Sequence, residues 1–128
     1  ESFDACILQA FLTTIIQPED RKKILSEAYR VLKEDGILYL ADFGQNWKNP
    51  LYRNRYRKDY PVTGEIGTFI VKENGRKLFT VHHYTRDELI KLVKDEFKIE
   101  KFHKTMFTTF HGNKTKGYII IASKRRKM

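Results

Sequence analysis

RVLKEDGILYLADF, residues 30–43, closes a helical pattern, breaks it at Gly36, and runs on as a mostly apolar strand ending in an acid and an aromatic. Upstream, QPEDRKKILSEAY, residues 17–29, supplies the rest of the helix. Pro18 suits a first helical position, and Glu19 and Asp20 favour the positive end of the aligned peptide dipoles. Ile24, Leu25, Ala28, Val31 and Leu32 fall on one face, and Gly36 suits the C-terminal cap. Before the helix lies FDACILQAF, residues 3–11, near-continuously apolar over residues 3–8, as suits a strand buried on both faces. Strand, helix and strand at this spacing predict the right-handed crossover unit of a parallel sheet.

Downstream, residues 44–67 lose the apolar rhythm and read as a long irregular insertion, a kind of segment that is more often functional than decorative. Residues 68–83, TFIVKENGRKLFTVHH, alternate around Asn74-Gly75, which predicts a type I′ hairpin leaving the main sheet. Residues 44–83 thus form a lid insertion and hairpin within one domain spanning residues 1–128. Thr85 and Glu88 have capping-box spacing ahead of a second helix whose Leu89, Ile90, Val93 and Phe97 share a face. Residues 97–110 alternate imperfectly as a strand, residues 112–117 turn, and residues 117–124 are a buried strand antiparallel to it. The fold class is α/β: a partial doubly wound sheet with two parallel strands joined by a crossover helix, a β-hairpin excursion, a second helix and a C-terminal antiparallel strand pair.

At 128 residues and 41% hydrophobic content the chain has material for one compact core and not two. It lacks the uninterrupted apolar run of ~20 residues that a membrane helix needs, so no membrane partner and a cytoplasmic location are expected. The single cysteine, Cys6, excludes an internal disulfide and sits in an apolar run, where a thiol behaves as a small hydrophobe. Twenty-five Lys and Arg against sixteen Asp and Glu give +9, favouring an anionic partner: nucleic acid, an acidic surface or an anionic small molecule. The cations gather at residues 21–23, 53–58, 101–104 and 124–127, where solvated faces and a frayed end also account for them. The chain begins at Glu1, already close to a strand and without signal-peptide features, which predicts a cut start.

Taken in order, FDACILQAF, residues 27–43 (EAYRVLKEDGILYLADF), residues 82–93 (HHYTRDELIKLV) and residues 118–124 (YIIIASK) resemble the class I S-adenosylmethionine-dependent methyltransferases of the small-molecule type. RVLKEDGILYLADF is similar to that family's helix, glycine turn and fifth strand. The resemblance runs over essentially the whole chain but covers the C-terminal half of the family's fold. It implies S-adenosylmethionine as cofactor and a fourth strand beginning at Asp4, with Leu8, Gln9, Ala10 and Phe11 under the cofactor at its carboxyl end. Ligands of open α/β sheets bind beyond the carboxyl ends of the strands, which agrees with this placement. Leu8 and Phe11 suit a core equally well, whereas a buried Gln9 amide would need partners. The family's glycine-rich loop and its ribose and adenine contacts would precede Glu1, and no G-x-G follows a strand here. Weak or no cofactor binding by this chain alone is therefore expected.

Methyl transfer is an in-line displacement at a sulfonium carbon, so positioning matters most and a base is needed only where the acceptor must lose a proton. Candidates for acceptor positioning are Asp42, Phe43, Trp47, Tyr52 and Tyr56. His82 and His83 are the candidate catalytic bases near neutral pH, or equally a polar loop end. His103 and His111 have no partner at metal-ligand spacing, so no metal is expected. Residues 51–60 mix cations with aromatics, as solvated lids, anionic-substrate caps and single-stranded nucleic-acid grooves all do. Two functions stand: methyl transfer to a small molecule, or a basic nucleic-acid-binding module or RNA methyltransferase fragment. A first strand without its family neighbour presents an open apolar edge, which predicts self-association through residues 3–11.

Overall fold

The computed structural model describes residues 2–108, 112 and 114–124. Expectations for Glu1, for the strand end at Thr109 and Phe110, for His111 and for the basic residues 125–127 lie outside the described residues. Strand β1 (Phe3–Gln9) runs parallel to β2 (Leu32–Phe43), connected by a short 3-10 turn (Leu12–Thr14) and helix α1 (Pro18–Val31). On the other side of β2 lies β6 (Lys114–Ser123), antiparallel to it, and beyond that β5 (Lys98–Thr108), so the sheet order is β1-β2-β6-β5. Helix α2 (Pro50–Thr63), the hairpin β3 (Thr68–Glu73) and β4 (Arg76–His82), and helix α3 (Arg86–Lys94) fill the long connection between β2 and β5. The architecture is the α/β arrangement legible in the sequence.

Local chemistry accounts for these elements. Leu25 and Ala28 of α1 are buried against Leu38, Leu40 and Ile120 of the sheet, in a core shared with Leu89 and Val93 of α3. Each such leucine removed from water contributes roughly 1.5–3 kcal/mol. Tyr29 and Phe97 meet edge to face at 5.5 Å, joining α1 to the segment that follows α3. The capping box at α3 is complete: Thr85 Oγ1 accepts the Glu88 N–H, and the Glu88 carboxylate accepts the Thr85 N–H. Asn74 and Gly75 both take positive φ, 52° and 76°, as a type I′ hairpin turn requires.

Three expectations are corrected. Residues 44–67 are not irregular throughout, because Pro50–Thr63 is helical, with Asn49 Oδ1 capping the Leu51 N–H and Gly64 closing in the left-handed region. The helical period is carried by Tyr52, Tyr56 and Asp59, aromatic and polar residues, so an aliphatic pattern does not reveal it. Gly36 is not the cap of α1: the helix ends at Val31 and the left-handed residue is Asp35, at φ 62°. Gly36 is needed instead for close approach, since a Cβ there would stand 2.7 Å from the Lys33 carbonyl oxygen. Finally, β1 is an edge strand rather than one buried on both faces, leaving Phe3 57% and Ile7 67% exposed. No helix among the described residues is long and apolar enough to cross a membrane.

Replacing Thr85 by Ala removes one half of the capping box and leaves the Glu88 N–H without its acceptor. A loss of about 1 kcal/mol in unfolding free energy is expected from urea denaturation followed by circular dichroism.

Candidate active site

The carboxyl ends of β1 and β2 are tied together by a buried carboxylate. Asp42, 1% exposed at the end of β2, accepts the Phe43 N–H at 2.8 Å and the Thr13 N–H at 3.0 Å. The 3-10 turn after β1 is held from the far side as well, where Thr13 Oγ1 donates to the His82 carbonyl and Tyr84 Oη donates to that of Leu12. Burial pushes the Asp42 carboxyl up to about 7, against the opposing effect of its backbone hydrogen bonds.

Beyond Asp42 a second tether joins α2 to this floor. Asn46 donates its backbone N–H to Tyr56 Oη at 2.9 Å, and Tyr56 Oη lies 2.7 Å from Nδ1 of His83. With Tyr56 donating to Nδ1, the ring proton of His83 sits on Nε2. Burial, with His82 and Arg55 nearby, lowers the His83 pKa to about 3, so the ring is neutral at physiological pH. The Asn46 side chain is fully engaged, bonding Gly44, Thr115 and the Lys116 N–H. Gly67 allows the strands to close here: at φ 93°, a Cβ would come within 2.5 Å of the His83 carbonyl oxygen and of Gln45 Nε2.

These tethers frame a half-open cavity of about 620 Å³. Its apolar wall is Phe43, Tyr52, Phe69 and Val81, continued outward by Leu78 and Phe79 of the hairpin. Thr13, Thr14, Thr115 and His83 give it polar groups, and Arg55, Lys72 and Glu73 also line it. No buried side-chain polar atom lacks a partner, and His83 Nε2 has no hydrogen bond among the described residues, so that nitrogen opens onto the cavity. The site presents a neutral imidazole N–H inside an aromatic slot, an arrangement that orients a ligand by donation and excludes water around it.

A separate polar cluster lies behind the floor. Arg21, 3% exposed, makes a bidentate pair with Glu65, 2.9 Å on each arm, and stands 3.9 Å from Glu88. His82 completes it, with Nδ1 2.7 Å from Thr68 Oγ1 and 3.1 Å from Glu65, and Nε2 2.9 Å from Glu88. Burial works against both charges of the Arg21–Glu65 pair, yet the contact holds the guanidinium above and the carboxyl below their ordinary values. The ligand atoms of Glu65, His82 and Glu88 fall within 4.8 Å of one another, as metal ligands can, but the Arg21 guanidinium already supplies the cation they face.

The structure brings Phe43, Tyr52 and His83 together on the cavity and places the other expected residues elsewhere. Asp42 lies beneath the floor, Tyr56 is fully buried behind His83, and Trp47 packs on Tyr56 at 5.0 Å while donating to Gln45. His82 belongs to the charge cluster, with both ring nitrogens held. Leu8 packs half-buried on the core, whereas Gln9, Ala10 and Phe11 are exposed at the carboxyl end of β1. Arg21, whose charge run suits a solvated face, is buried. The hairpin's share of the wall is the set the sequence argument lacks. Phe69 faces Val81 and Val71 faces Phe79 in register, so one face of the alternation carries it.

Residues 1–40 match a family model described as a methyltransferase domain, and no curated protein matches the chain. An S-adenosylmethionine-dependent methyltransferase of Methanosarcina mazei superposes with a TM-score of 0.95 at 43% identity, over 98% of this chain and 61% of that one. The 1,6-didemethyltoxoflavin-N1-methyltransferase of Burkholderia thailandensis, solved with 1,6-didemethyltoxoflavin and S-adenosylhomocysteine bound, gives 0.60 at 14% identity, over 97% of this chain and 44% of that one. The N-methyltransferase NodS of Bradyrhizobium japonicum gives 0.58 at 8%, over 98% and 53%. The last two share the fold alone. The chain has the class I S-adenosylmethionine-dependent methyltransferase fold, and it spans 61% or less of the length of these three structures.

Asp42 and His83 titrate in opposite senses. The Asp42 carboxyl, raised in the fold to about 7, contributes stability below its unfolded value of 3.8 that is lost as pH rises through 7. The His83 ring, lowered to about 3, contributes stability above its unfolded value of 6.5 that is lost as pH falls towards 3. Lowering the pH from about 7 to about 5 therefore sets the two against each other. In urea unfolding at the two pH values, Asp42→Asn is expected to lose more stability than the wild type on acidification, and His83→Gln less.

Proposed function

We propose that this chain forms the acceptor-binding half of an S-adenosylmethionine-dependent methyltransferase acting on a small molecule in the cytoplasm, where the lone thiol of Cys6 stays reduced. The supporting observation is the 620 Å³ aromatic cavity, lined by the turn after β1 and by Phe43 at the end of β2, which is where open α/β sheets bind ligands. When bound, S-adenosylmethionine supplies an electrophilic methyl group. The residues that would hold it here are Gln9, Ala10 and Phe11, exposed at the end of β1, where the Gln9 amide and the Phe11 ring suit a nucleoside. The apolar wall strips water from the acceptor, and His83 Nε2–H donates to it and fixes its orientation. With Nδ1 engaged by Tyr56 and the ring pKa near 3, His83 is a positioning donor rather than a base, which favours an acceptor that attacks through an existing lone pair.

Lys48, Lys104 and Lys116 favour a second reading, a nucleic-acid acceptor. Burial first, and then the two neighbouring lysines, lower the Lys116 pKa, so the three cations stand close together. An enclosed aromatic slot suits a small ligand better than a polymer groove. Methyl transfer from radiolabelled cofactor by the complete methyltransferase, offered small-molecule pools and RNA in parallel, separates the two. Labelled small molecules are expected, and Thr14→Trp, which narrows the cavity, should raise their KM about tenfold. Absence of cofactor binding by the complete protein would overturn the reading, and label in RNA alone would transfer it to the second.

The exposed Phe3 and Ile7 on the open edge of β1 support pairing of this edge with a second copy of the chain. Light scattering of the 128-residue chain is expected to show a dimer or larger species that Ile7→Lys shifts towards monomer. A monomer at all concentrations would contradict it.

A further inference from the structure

The cavity described above is apolar inside but cationic at one junction. Arg55 of α2 and Lys72 of β3 line both the 620 Å³ cavity and an adjoining groove of about 170 Å³, which is completed by Lys58, Asp59 and Ile70. They therefore stand where the aromatic slot opens into a polar channel. Neither cation has a carboxylate within 4.0 Å among the described residues. The Arg55 guanidinium lies 5.9 Å from the centre of the Phe69 ring, which forms part of the slot wall.

The acids nearby do not cancel this charge. Asp59 uses its carboxylate to accept the Ile70 N–H at 2.9 Å, tying α2 to β3. Glu73 sits at the hairpin end, opposite Arg76 in register. Over the two connected spaces the lining charges are Arg55, Lys58 and Lys72 against Asp59 and Glu73, three positive and two negative, for a net of +1 with His83 neutral. Two unpaired cations beside a low-dielectric aromatic wall focus a positive field into the slot.

We propose that the acceptor of this site is a flat, largely apolar molecule bearing an anionic group, and that Arg55 and Lys72 are the residues that select it. The inference rests on the reading of the cavity as the acceptor site, and it assigns the substrate class rather than the reaction. The ring system lies among Phe43, Tyr52, Phe69 and Phe79, while the anion, whether carboxylate, sulfonate or phosphate, reaches the junction between the slot and the groove. Arg55 offers a planar fork that can meet such a group on two arms, and Lys72 adds a mobile point charge.

A pair of dyes sharing the same rings tests this in the folded protein without any need for turnover. The 1-anilinonaphthalene-8-sulfonate anion and uncharged N-phenyl-1-naphthylamine are each titrated by fluorescence. The anion is expected to bind more tightly, and increasing salt should weaken the anion alone. The Arg55→Gln/Lys72→Gln double variant should weaken anion binding about tenfold and leave the neutral dye unchanged, while Arg55→Lys stays within about threefold of the wild type. Thr14→Trp should weaken both dyes, placing them in the cavity. Equal affinity for the two dyes, a double variant that changes neither, or anion binding unmoved by Thr14→Trp would each overturn the proposal. Failure of the methyltransferase reading would show instead as lost cofactor binding with the anion preference intact.

Discussion

The hydroxyl of Tyr56 is the point on which the site's geometry turns. It is buried, receives the Asn46 N–H, and gives its own proton to His83. One oxygen thus joins helix α2, the chain leaving β2 and the end of β4. Left without these partners, a buried hydroxyl would cost about 1–3 kcal/mol, so the three segments hold one another in a single arrangement. The consequence reaches the cavity, because committing Nδ1 of His83 leaves Nε2–H as the group that faces a ligand. Trp47, Tyr52 and Phe69 then pack around Tyr56 at 5.0–6.4 Å between ring centres, so the apolar wall rests on the same post.

A second set of buried polar contacts acts at longer range. Arg21 on α1, Glu65 in the loop before β3, His82 on β4 and Glu88 on α3 bring four separate segments to one place. Pairs of this kind contribute less to net stability than to uniqueness of arrangement when every lone pair and proton is satisfied. Here no buried side-chain polar atom among the described residues lacks a partner. Hairpin β3–β4 hydrogen-bonds to no other named strand, and this cluster together with α2 fixes it above the sheet. The hairpin and α2 together make the larger part of the cavity wall, so these polar contacts shape the space in which a ligand would be chosen.

The sheet was legible because its signals are local and apolar: the run in residues 3–8, the one-faced pattern of α1 and the terminal strand at residues 118–122 each state a period. The Thr85–Glu88 box and the Asn74-Gly75 turn were legible because each needs particular atoms or a positive φ. Helix α2 was not, since its buried face is Tyr52, Tyr56 and Asp59, and Pro61 within its last turn argues against a helix. The site divided the same way. Phe43, Tyr52 and His83 announce themselves by type and position, but whether an aromatic or a histidine faces a cavity or a neighbour depends on contacts between segments distant in the chain. Tyr56 and His82 show this, each having the right chemistry and a side chain already engaged by a neighbour. Arg21 shows the reverse, a residue in a surface-like charge run that is drawn inside by Glu65, 44 positions away.

Placing methyl transfer beyond the carboxyl ends of β1 and β2 is the claim on which the functional account depends. Amide chemical shifts of the full-length protein, followed by NMR during titration with S-adenosylhomocysteine, test it most directly. The largest changes are expected at Gln9, Ala10, Phe11 and the adjoining Thr13 and Thr14, with β5 and the outer half of α3 unmoved. Changes concentrated on β5 and β6, or none in the segment following β1, would contradict it.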